Sequence, residues 1–222
     1  MSFSGTRIAA AVAIVSAVVG AIRIGSTWKL FTETRDEAFH VACGLQWLSE
    51  GRYIYETLHP SLARVVLAMG PYAAGARSPN SGNPAVDGWR LLINAPDYYT
   101  MLALARAPNL IFFAIACAAV WLIARPLGPA VAAASVAVFS LIPVVLGHAG
   151  VATTDMALTG FLGLAWWSWR QWRQRPHDIG RGVLAGCATA SAMLSKFSAA
   201  PFLIVALIPV VVLRRREKGT EI

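Results

Sequence analysis

The acidic pair Asp36-Glu37 follows the first long apolar segment of the chain and begins a long polar stretch. A carboxylate at a membrane surface can act as a general base that takes a proton from an attacking hydroxyl group. The same residue types also begin helices, since Asp is a common N-cap and Glu in the first turn is favoured by the helix dipole. Thr34 is a second candidate for the N-cap of this helix. The pair alone leaves both interpretations open.

Two basic residues offer the complementary chemistry. Lys196 lies between two apolar stretches in LSKFSAAP, and Arg106 lies where another apolar stretch begins. A lysine in such a position is costly unless it reaches the interface or meets an anion, for example a lipid phosphate. Arg106 has the planar donors that bind phosphate through two hydrogen bonds. Carboxylates beside such cations suit transfer from a phosphate-linked lipid donor.

Composition identifies the class of protein. Of 222 residues, 57% are hydrophobic and 14% are charged, and the mean hydropathy is +0.58, as expected for a membrane protein. The net charge of +8 would suit nucleic acid, but the basic residues cluster beside apolar stretches, as in cytoplasmic loops. We therefore expect membrane lipid as a partner and no nucleic acid.

Six apolar stretches predict an all-α, polytopic membrane protein with about six transmembrane helices. A span takes about 20 residues, so the fourth and fifth stretches are short and need residues from their polar flanks. The stretches are Ile8–Ile24, Ala107–Ala124, Gly128–Gly147, Met156–Trp169, Gly182–Ser195 and Phe197–Leu213. The predicted domains are a first transmembrane helix at 1–25, an outer loop at 26–104, a five-helix bundle at 105–214 and a basic cytoplasmic tail at 215–222.

The basic residues also predict the orientation. With the N-terminus in the cytoplasm, ten of the nineteen Lys and Arg residues lie on the inner side: Arg7, Arg125, Arg170, Arg173, Arg175, Arg181, Arg214, Arg215, Arg216 and Lys218. The long loop and the turns that hold Asp155 and Lys196 then face the periplasm of a bacterial-type inner membrane. Three of the four histidines lie on that side, namely His40, His59 and His148. Asp36 and Asp155 are therefore expected at one membrane surface, although Asp155 could also cap the helix that follows it.

The outer loop is predicted to carry two interfacial helices. Asp36–Ser49 has apolar residues at helical spacing and is followed by Gly51 as a stop. Its moderate hydrophobicity suits a helix that lies in the interface. A second helix is expected to begin at His59-Pro60, with proline in the first position. The segment Gly75–Gly88 is predicted to be a turn-rich connection.

The sequence DEAFHVACGLQWLSEGRYIYETLHPSLARVVLAMGPYAAG, at 36–75, resembles the first outer loop of the GT-C polyprenyl-phosphate-sugar-dependent glycosyltransferases. This group contains the protein O-mannosyltransferases and the lipid A aminoarabinose transferase. The shared pattern is an acidic pair that opens an interfacial helix, a Gly-Arg-Tyr element and a His-Pro helix start. The segments ARAPN, HAGVATTDMALTGF and LSKFSA follow in the family's order, while Ser61 replaces a commonly seen second proline.

The resemblance implies a role for each matching residue. Asp36 would be the catalytic carboxylate, the base toward an acceptor hydroxyl, and Glu37 would support it or help to bind a metal. Asp155 matches the second acidic position, and Arg106 and Lys196 would face the donor phosphate. The residues expected to support the site are His40, His59 and His148. If a divalent metal ion such as Mg²⁺ or Mn²⁺ takes part, its expected ligands are Asp36 and Asp155.

The expected function is that of a glycosyltransferase, or its N-terminal module, which transfers a sugar from a polyprenyl-phosphate donor to an acceptor. Family enzymes have more spans, so a second chain or a C-terminal half is an expected partner, and the chain alone could be inactive. The alternative is a non-catalytic membrane subunit or lipid-binding module, in which the acids are caps and the basic turn binds anionic lipid. Convergence of Asp36, Asp155, Arg106 and Lys196 on one outward cavity would favour the enzyme.

Overall fold

The computed structural model describes residues 3–57 and 59–206, and within these ranges the chain is all-helical, as predicted. Ten helices follow in order: α1 Phe3–Thr27, α2 Arg35–Glu50, α3 Leu62–Ala73, α4 Pro84–Ile93, α5 Tyr98–Arg106, α6 Asn109–Ala124, α7 Pro129–Leu141, α8 Pro143–Gly150, α9 Asp155–Gln174 and α10 Ile179–Ser195. A further helix begins at residue 199. Much of the predicted sixth span and the basic tail at 215–222 lie outside the described residues.

Within residues 3–57 and 59–206, two helical segments are long and apolar enough to cross a membrane. One is Gly5–Thr27, within α1, and the other is Tyr98–Leu127, which joins α5, α6 and a short 3₁₀ turn. The bent pair α7 and α8 gives a third candidate if it counts as one span. The chain is therefore a helical membrane protein. The total of six spans stays a prediction, because α10 has 17 residues and α9 ends in the polar segment WRQWRQ.

The predicted span Gly128–Gly147 is not one continuous helix. Ile142 is extended (φ −65°, ψ 128°) because the ring of Pro143 disfavours helical geometry in the residue before it. Hence α7 ends at Leu141, and α8 begins with Pro143 in the first helical position, at an angle of 59° to α7. The apolar pattern continues across this proline, so the predicted span runs through the bend. The bend at Ile142 turns α8, which leads into the turn that precedes Asp155.

Small and aromatic side chains pack the membrane helices together. The main core cluster includes Ala13 of α1, Phe113 of α6, Val136 of α7 and Ala157 of α9, all buried. Alanine-rich contacts let helix backbones approach closely, which is how helices associate where water supplies no driving force. The ends of α6 and α9 that face the loop 26–104 are thereby held side by side.

The loop 26–104 folds into a layer of short helices. Its first helix, α2, lies within one residue of the predicted segment at each end and stops where Gly51 adopts a left-handed φ of 66°. The next helix, α3, begins at Leu62, two residues later than Pro60. The sequence did not predict α4 and α5. The first of these begins inside Gly75–Gly88, where the Asn83 side chain caps it.

Two glycines bring α3 and α4 against α2 at backbone distance. A Cβ atom at Gly44 would lie 2.1 Å from the carbonyl oxygen of Arg64 in α3. A Cβ atom at Gly88 of α4 would lie 1.9 Å from the carbonyl oxygen of Ala38 in α2. Any larger residue would force these helices apart. The start of α2, with its acidic pair, is therefore placed by its neighbours and not only by its own sequence.

Candidate active site

Glu37 and Arg106 form a fully buried ion pair that links several elements. Glu37 is 0% exposed and Arg106 is 2% exposed. The carboxylate accepts hydrogen bonds from Arg106 Nε at 2.7 Å, from the backbone N–H of Thr34 at 2.8 Å and from that of Ala152 at 2.8 Å. Thr34 is the N-cap residue of α2, so the bond from its N–H is that of a capping box. The pair thus ties the start of α2 to the α8–α9 turn.

Every N–H group of Arg106 has a partner. Beyond Nε, its two terminal nitrogens donate to Glu37 Oε2 and to the backbone oxygens of Trp28, Phe31 and Thr32, at 2.7–3.1 Å. A guanidinium group has five N–H donors, and all five are used here. The arrangement therefore favours a structural role for Arg106, and the prediction that it holds the donor phosphate gains no support. The same burial argues against a catalytic role for Glu37.

Asp36 has the opposite surroundings. It is exposed, and within the described residues it makes no hydrogen bond or ion pair. Because the cap of α2 is Thr34, Asp36 is the second helical residue and not an N-cap. The Glu37 bond to Ala152 holds this helix end beside the turn that leads into α9. Asp36 is thus a free carboxylate at the end of the molecule where Asp155 lies.

Asp155 and Lys196 meet, although 41 positions separate them. Lys196 Nζ lies 2.5 Å from Asp155 Oδ1, and His148 Nδ1 lies 3.6 Å from Asp155 Oδ2. Asp155 is 37% and Lys196 33% exposed, so the pair lies at the rim of the protein. Neither side chain caps a helix. Three residues that the sequence singled out therefore converge on one group.

Asn109 fixes the segment that carries His148. Its side-chain amide, fully buried, donates to the backbone oxygens of His148, Ala149 and Val151 at 2.7–3.3 Å. These carbonyl groups lie at the end of α8, where the last backbone oxygens of a helix have no partner within the helix. Asn109 thereby positions the turn between α8 and Asp155. The ARAPN segment contained this residue, but nothing in its spacing indicated the role.

His40 lies within the electrostatic reach of the Asp155–Lys196 pair. Its Nδ1 accepts a hydrogen bond from Arg64 Nε at 3.0 Å, and Arg64 is 1% exposed. Burial and the charge of Arg64 lower the pKa of His40 to about 3, with Lys196 also lowering it and Asp155 raising it. Arg64 was not among the predicted site residues. The available signal was its position in LHPSLAR, one turn after the His-Pro pair.

His59 lies further out on the same side. Its ring is 47% exposed, and Nδ1 lies 3.2 Å from Glu56 Oε2. Its charge also lowers the pKa of His40, but less than the charges of Arg64 and Lys196 do. His59 is therefore at the edge of the group formed by His40, Asp155 and Lys196.

The described residues do not fit a resident divalent ion. No group of three or more His, Cys, Asp or Glu side chains converges anywhere in the described part of the chain. One oxygen of Asp155 contacts Lys196 and the other faces His148, so this carboxylate is already compensated by nitrogen groups. A divalent cation needs several oxygen ligands around it. A metal on Asp36 and Asp155 stays a prediction.

The comparisons with known proteins point to one family. The family model of the dolichyl-phosphate-mannose-protein mannosyltransferases matches residues 101–221, a range that contains Arg106, His148, Asp155 and Lys196. No curated protein and no solved structure matches the chain. The match covers more than half of the chain, and it confirms the resemblance seen in the sequence. The chain belongs to the dolichyl-phosphate-mannose-protein mannosyltransferase family of GT-C glycosyltransferases.

Proposed function

We propose that the chain transfers a sugar from a polyprenyl-phosphate donor to an acceptor hydroxyl at the outer face of a bacterial-type inner membrane. Membership of the family indicates glycosyltransferase activity in general. The observation that carries the finer proposal is the contact of Lys196 with Asp155, beside the helix end that presents Asp36. A cation suited to phosphate in contact with a carboxylate supports the proposal.

Lys196 is proposed to bind the donor phosphate. Its ammonium group has three donors, and Asp155 takes one of them in the described structure. A phosphate can use the others, and because Lys196 is one third exposed the approach is open. Asp155 then orients the lysine and balances its charge when no donor is bound. This cation would stabilise the negative charge that develops on the leaving phosphate.

Asp36 is proposed to act as the base. The acceptor oxygen attacks the anomeric carbon of the sugar while the bond from that carbon to the phosphate oxygen breaks. The phosphate leaves with the electron pair as polyprenyl phosphate, and Asp36 takes the proton of the acceptor hydroxyl. The resemblance implies a single displacement with inversion. Exposure suits Asp36 to this role, because a base must reach the acceptor.

Replacement of Asp36 tests the proposal. We expect Asp36→Asn to lower the rate of transfer by about 10²–10⁴-fold, the usual contribution of a general base, while folding and insertion stay unchanged. The measurement is transfer from a set of polyprenyl-phosphate sugars, with membranes that hold the full chain and any partner chain. The control is Glu50→Gln, an exposed carboxylate at the other end of α2. Unchanged transfer by the Asp36→Asn variant would remove the base from the proposal.

A second outcome would favour the non-catalytic alternative. If no sugar donor gives transfer but the protein still binds polyprenyl phosphate in a Lys196-dependent manner, the chain is a lipid-binding module. The variant Lys196→Ala then weakens binding of the lipid phosphate, whereas Lys29→Ala, an exposed lysine of the outer side, does not. Loss of binding in neither variant would refute the assignment of Lys196.

A further inference from the structure

A directed chain of hydrogen bonds ends at His40. The hydroxyl of Tyr53 donates to the backbone oxygen of Pro60 at 3.4 Å, so its oxygen is free to accept. One terminal nitrogen of Arg64 donates to that oxygen at 2.9 Å, and Arg64 Nε donates to His40 Nδ1 at 3.0 Å. Every hydrogen bond in this series has a defined donor and a defined acceptor. The last acceptor is Nδ1 of the imidazole.

This direction fixes the tautomer of His40. Arginine is always protonated, so Nδ1 of His40 must be the acceptor and cannot carry a hydrogen of its own. The proton of the neutral ring therefore lies on Nε2. Burial is the main cause of the low pKa of His40, followed by Arg64, and the ring stays neutral at any ordinary working pH. In the described part of the chain, Nε2–H has no hydrogen-bond partner.

The surroundings of His40 favour an anion. Arg64 is buried, yet among the described residues no carboxylate forms an ion pair with it. Besides its hydrogen bonds to His40 and Tyr53, its guanidinium group lies over the Phe39 ring, at 5.1 Å from the centroid. A buried charge is normally paired, because desolvation is costly. The ionisable groups close enough to act electrostatically on His40 are Arg64 from α3, Lys196 after α10, Asp155 at the start of α9 and His59 before α3. Only Asp155 among these is negative.

The bond from Arg64 also strengthens the donor on the far side of the ring. A charged donor at Nδ1 withdraws electron density from the imidazole, so the Nε2–H group becomes more polar, as in other hydrogen-bond chains. A neutral imidazole held in this way can stabilise a developing oxyanion without giving up its proton. Such a donor costs no reorganisation during the reaction, because Arg64 and Tyr53 already hold the ring.

We propose that His40 donates a hydrogen bond through Nε2–H to the phosphate of the lipid donor, and that Arg64 is the positioning residue that fixes this tautomer. The inference rests on the proposed function and extends it. When the bond between sugar and phosphate breaks, the phosphate oxygen takes the electron pair, and His40 and Lys196 stabilise it together. The proton stays on Nε2 throughout. Asp36, one turn before His40 in α2, handles the proton of the acceptor.

The tautomer is tested directly by NMR of ring-labelled histidine in lipid nanodiscs. The chain has four histidines, and the variant His40→Gln identifies the signal of His40. We expect a neutral Nε2–H ring that does not titrate between pH 5 and pH 8. In Arg64→Met, loss of the positive charge should raise the pKa of His40. The proton of the neutral ring should then occupy either nitrogen. An Nδ1–H ring or an imidazolium at neutral pH in the parent would overturn the proposal.

The ligand is tested by the same signal. Farnesyl monophosphate in zwitterionic nanodiscs should shift the Nε2 resonance of His40, and the shift should be lost in Lys196→Ala. Nanodiscs that contain anionic phosphatidylglycerol but no prenyl phosphate form the second arm. A shift in the second arm alone would assign the site to membrane headgroups and overturn the proposal. A shift with farnesyl monophosphate but no transfer with any sugar donor would leave this inference intact and remove the proposed function.

Kinetics separate a donor from a packing residue. His40→Ala should lower kcat by about 10²-fold, the effect of losing one oxyanion donor, with a smaller change in KM. His40→Gln, whose amide nitrogen comes near the position of Nε2, should restore part of the rate, whereas His40→Asn, whose amide comes near Nδ1, should not. Equal rates in the glutamine and asparagine variants, or a full rate in His40→Ala, would refute the role of Nε2–H.

Discussion

Neighbouring carboxylates in the pair Asp36-Glu37 have different tasks because a helix turns by about 100° per residue. Glu37 points into the protein, where Arg106 and two backbone N–H groups satisfy it. Asp36 points outward and has no partner among the described residues. A buried and compensated carboxylate cannot take a proton from an acceptor, whereas an exposed one can. The pair therefore combines a structural residue with a candidate base.

Loss of the Glu37 charge should destabilise the protein. Glu37→Gln leaves Arg106 buried without a counter-charge, and we expect a loss of about 3–5 kcal/mol in the free energy of unfolding. The double variant Glu37→Gln/Arg106→Met should recover part of this loss, because no buried charge remains. The measurement is thermal unfolding in detergent, with Asp36→Asn as the control of nearly unchanged stability. Equal stability of Glu37→Gln and the parent would contradict the structural role.

At the residue scale, the sequence predicted which residues lie on one side of the membrane but not which of them bind one another. The topology argument placed Asp155 and Lys196 on one side of the membrane, and they are in contact. It also placed Arg106 there, but could not foresee that carbonyl groups of the α1–α2 connection would take up its donors. Arg64 was missed because a basic residue within a helix carries no local sign of burial. Tertiary packing decides such partners.

At the scale of elements, α2 is the part that the sequence predicts best and α4 the part it predicts worst. The apolar spacing of α2 is a local signal, and Gly51 marks its end. The helix α4 begins in a segment rich in Gly, Pro and Asn, which is typical of turns, yet Asn83 and Pro84 are also helix-starting residues. Contact with α2 through Gly88 selects the helix. That contact is not visible in local sequence.

A methyl group at Gly44 should separate α2 from α3. In Gly44→Ala the new Cβ atom would meet the Arg64 backbone at 2.1 Å, so one helix has to move. Because α2 carries His40 and α3 carries Arg64, we expect lower thermal stability and loss of transfer together. The matched control is Gly186→Ala in α10, where a Cβ atom meets nothing within 4 Å. Alanine there favours the helix by up to about 1 kcal/mol. A Gly44→Ala variant as stable as Gly186→Ala would contradict the close packing.

In the whole molecule, α9 runs from the end that carries the candidate site to an end rich in arginine and tryptophan. The start of α9 holds Asp155, whereas its last turns hold Arg170 and Arg173 beside several tryptophans. An excess of arginine at a helix end is typical of the cytoplasmic side, and tryptophan is typical of the membrane interface on either side. The layer formed by α2 to α5 lies at the Asp155 end, since Glu37 contacts Ala152. This polarity of charge is the physical basis of the orientation that we propose.

Cysteine labelling tests that orientation. In a background with the exposed Cys187 replaced by Ser, the remaining thiols should not react, because Cys43 and Cys117 are buried and burial raises the pKa of Cys43 to about 11. Asn94→Cys, exposed after α4, should then react with a membrane-impermeant maleimide in intact spheroplasts. His177→Cys, exposed between α9 and α10, should react only after permeabilisation. The reverse pattern would place the Asp36 end of the molecule in the cytoplasm, where a donor on the outer leaflet could not reach Lys196.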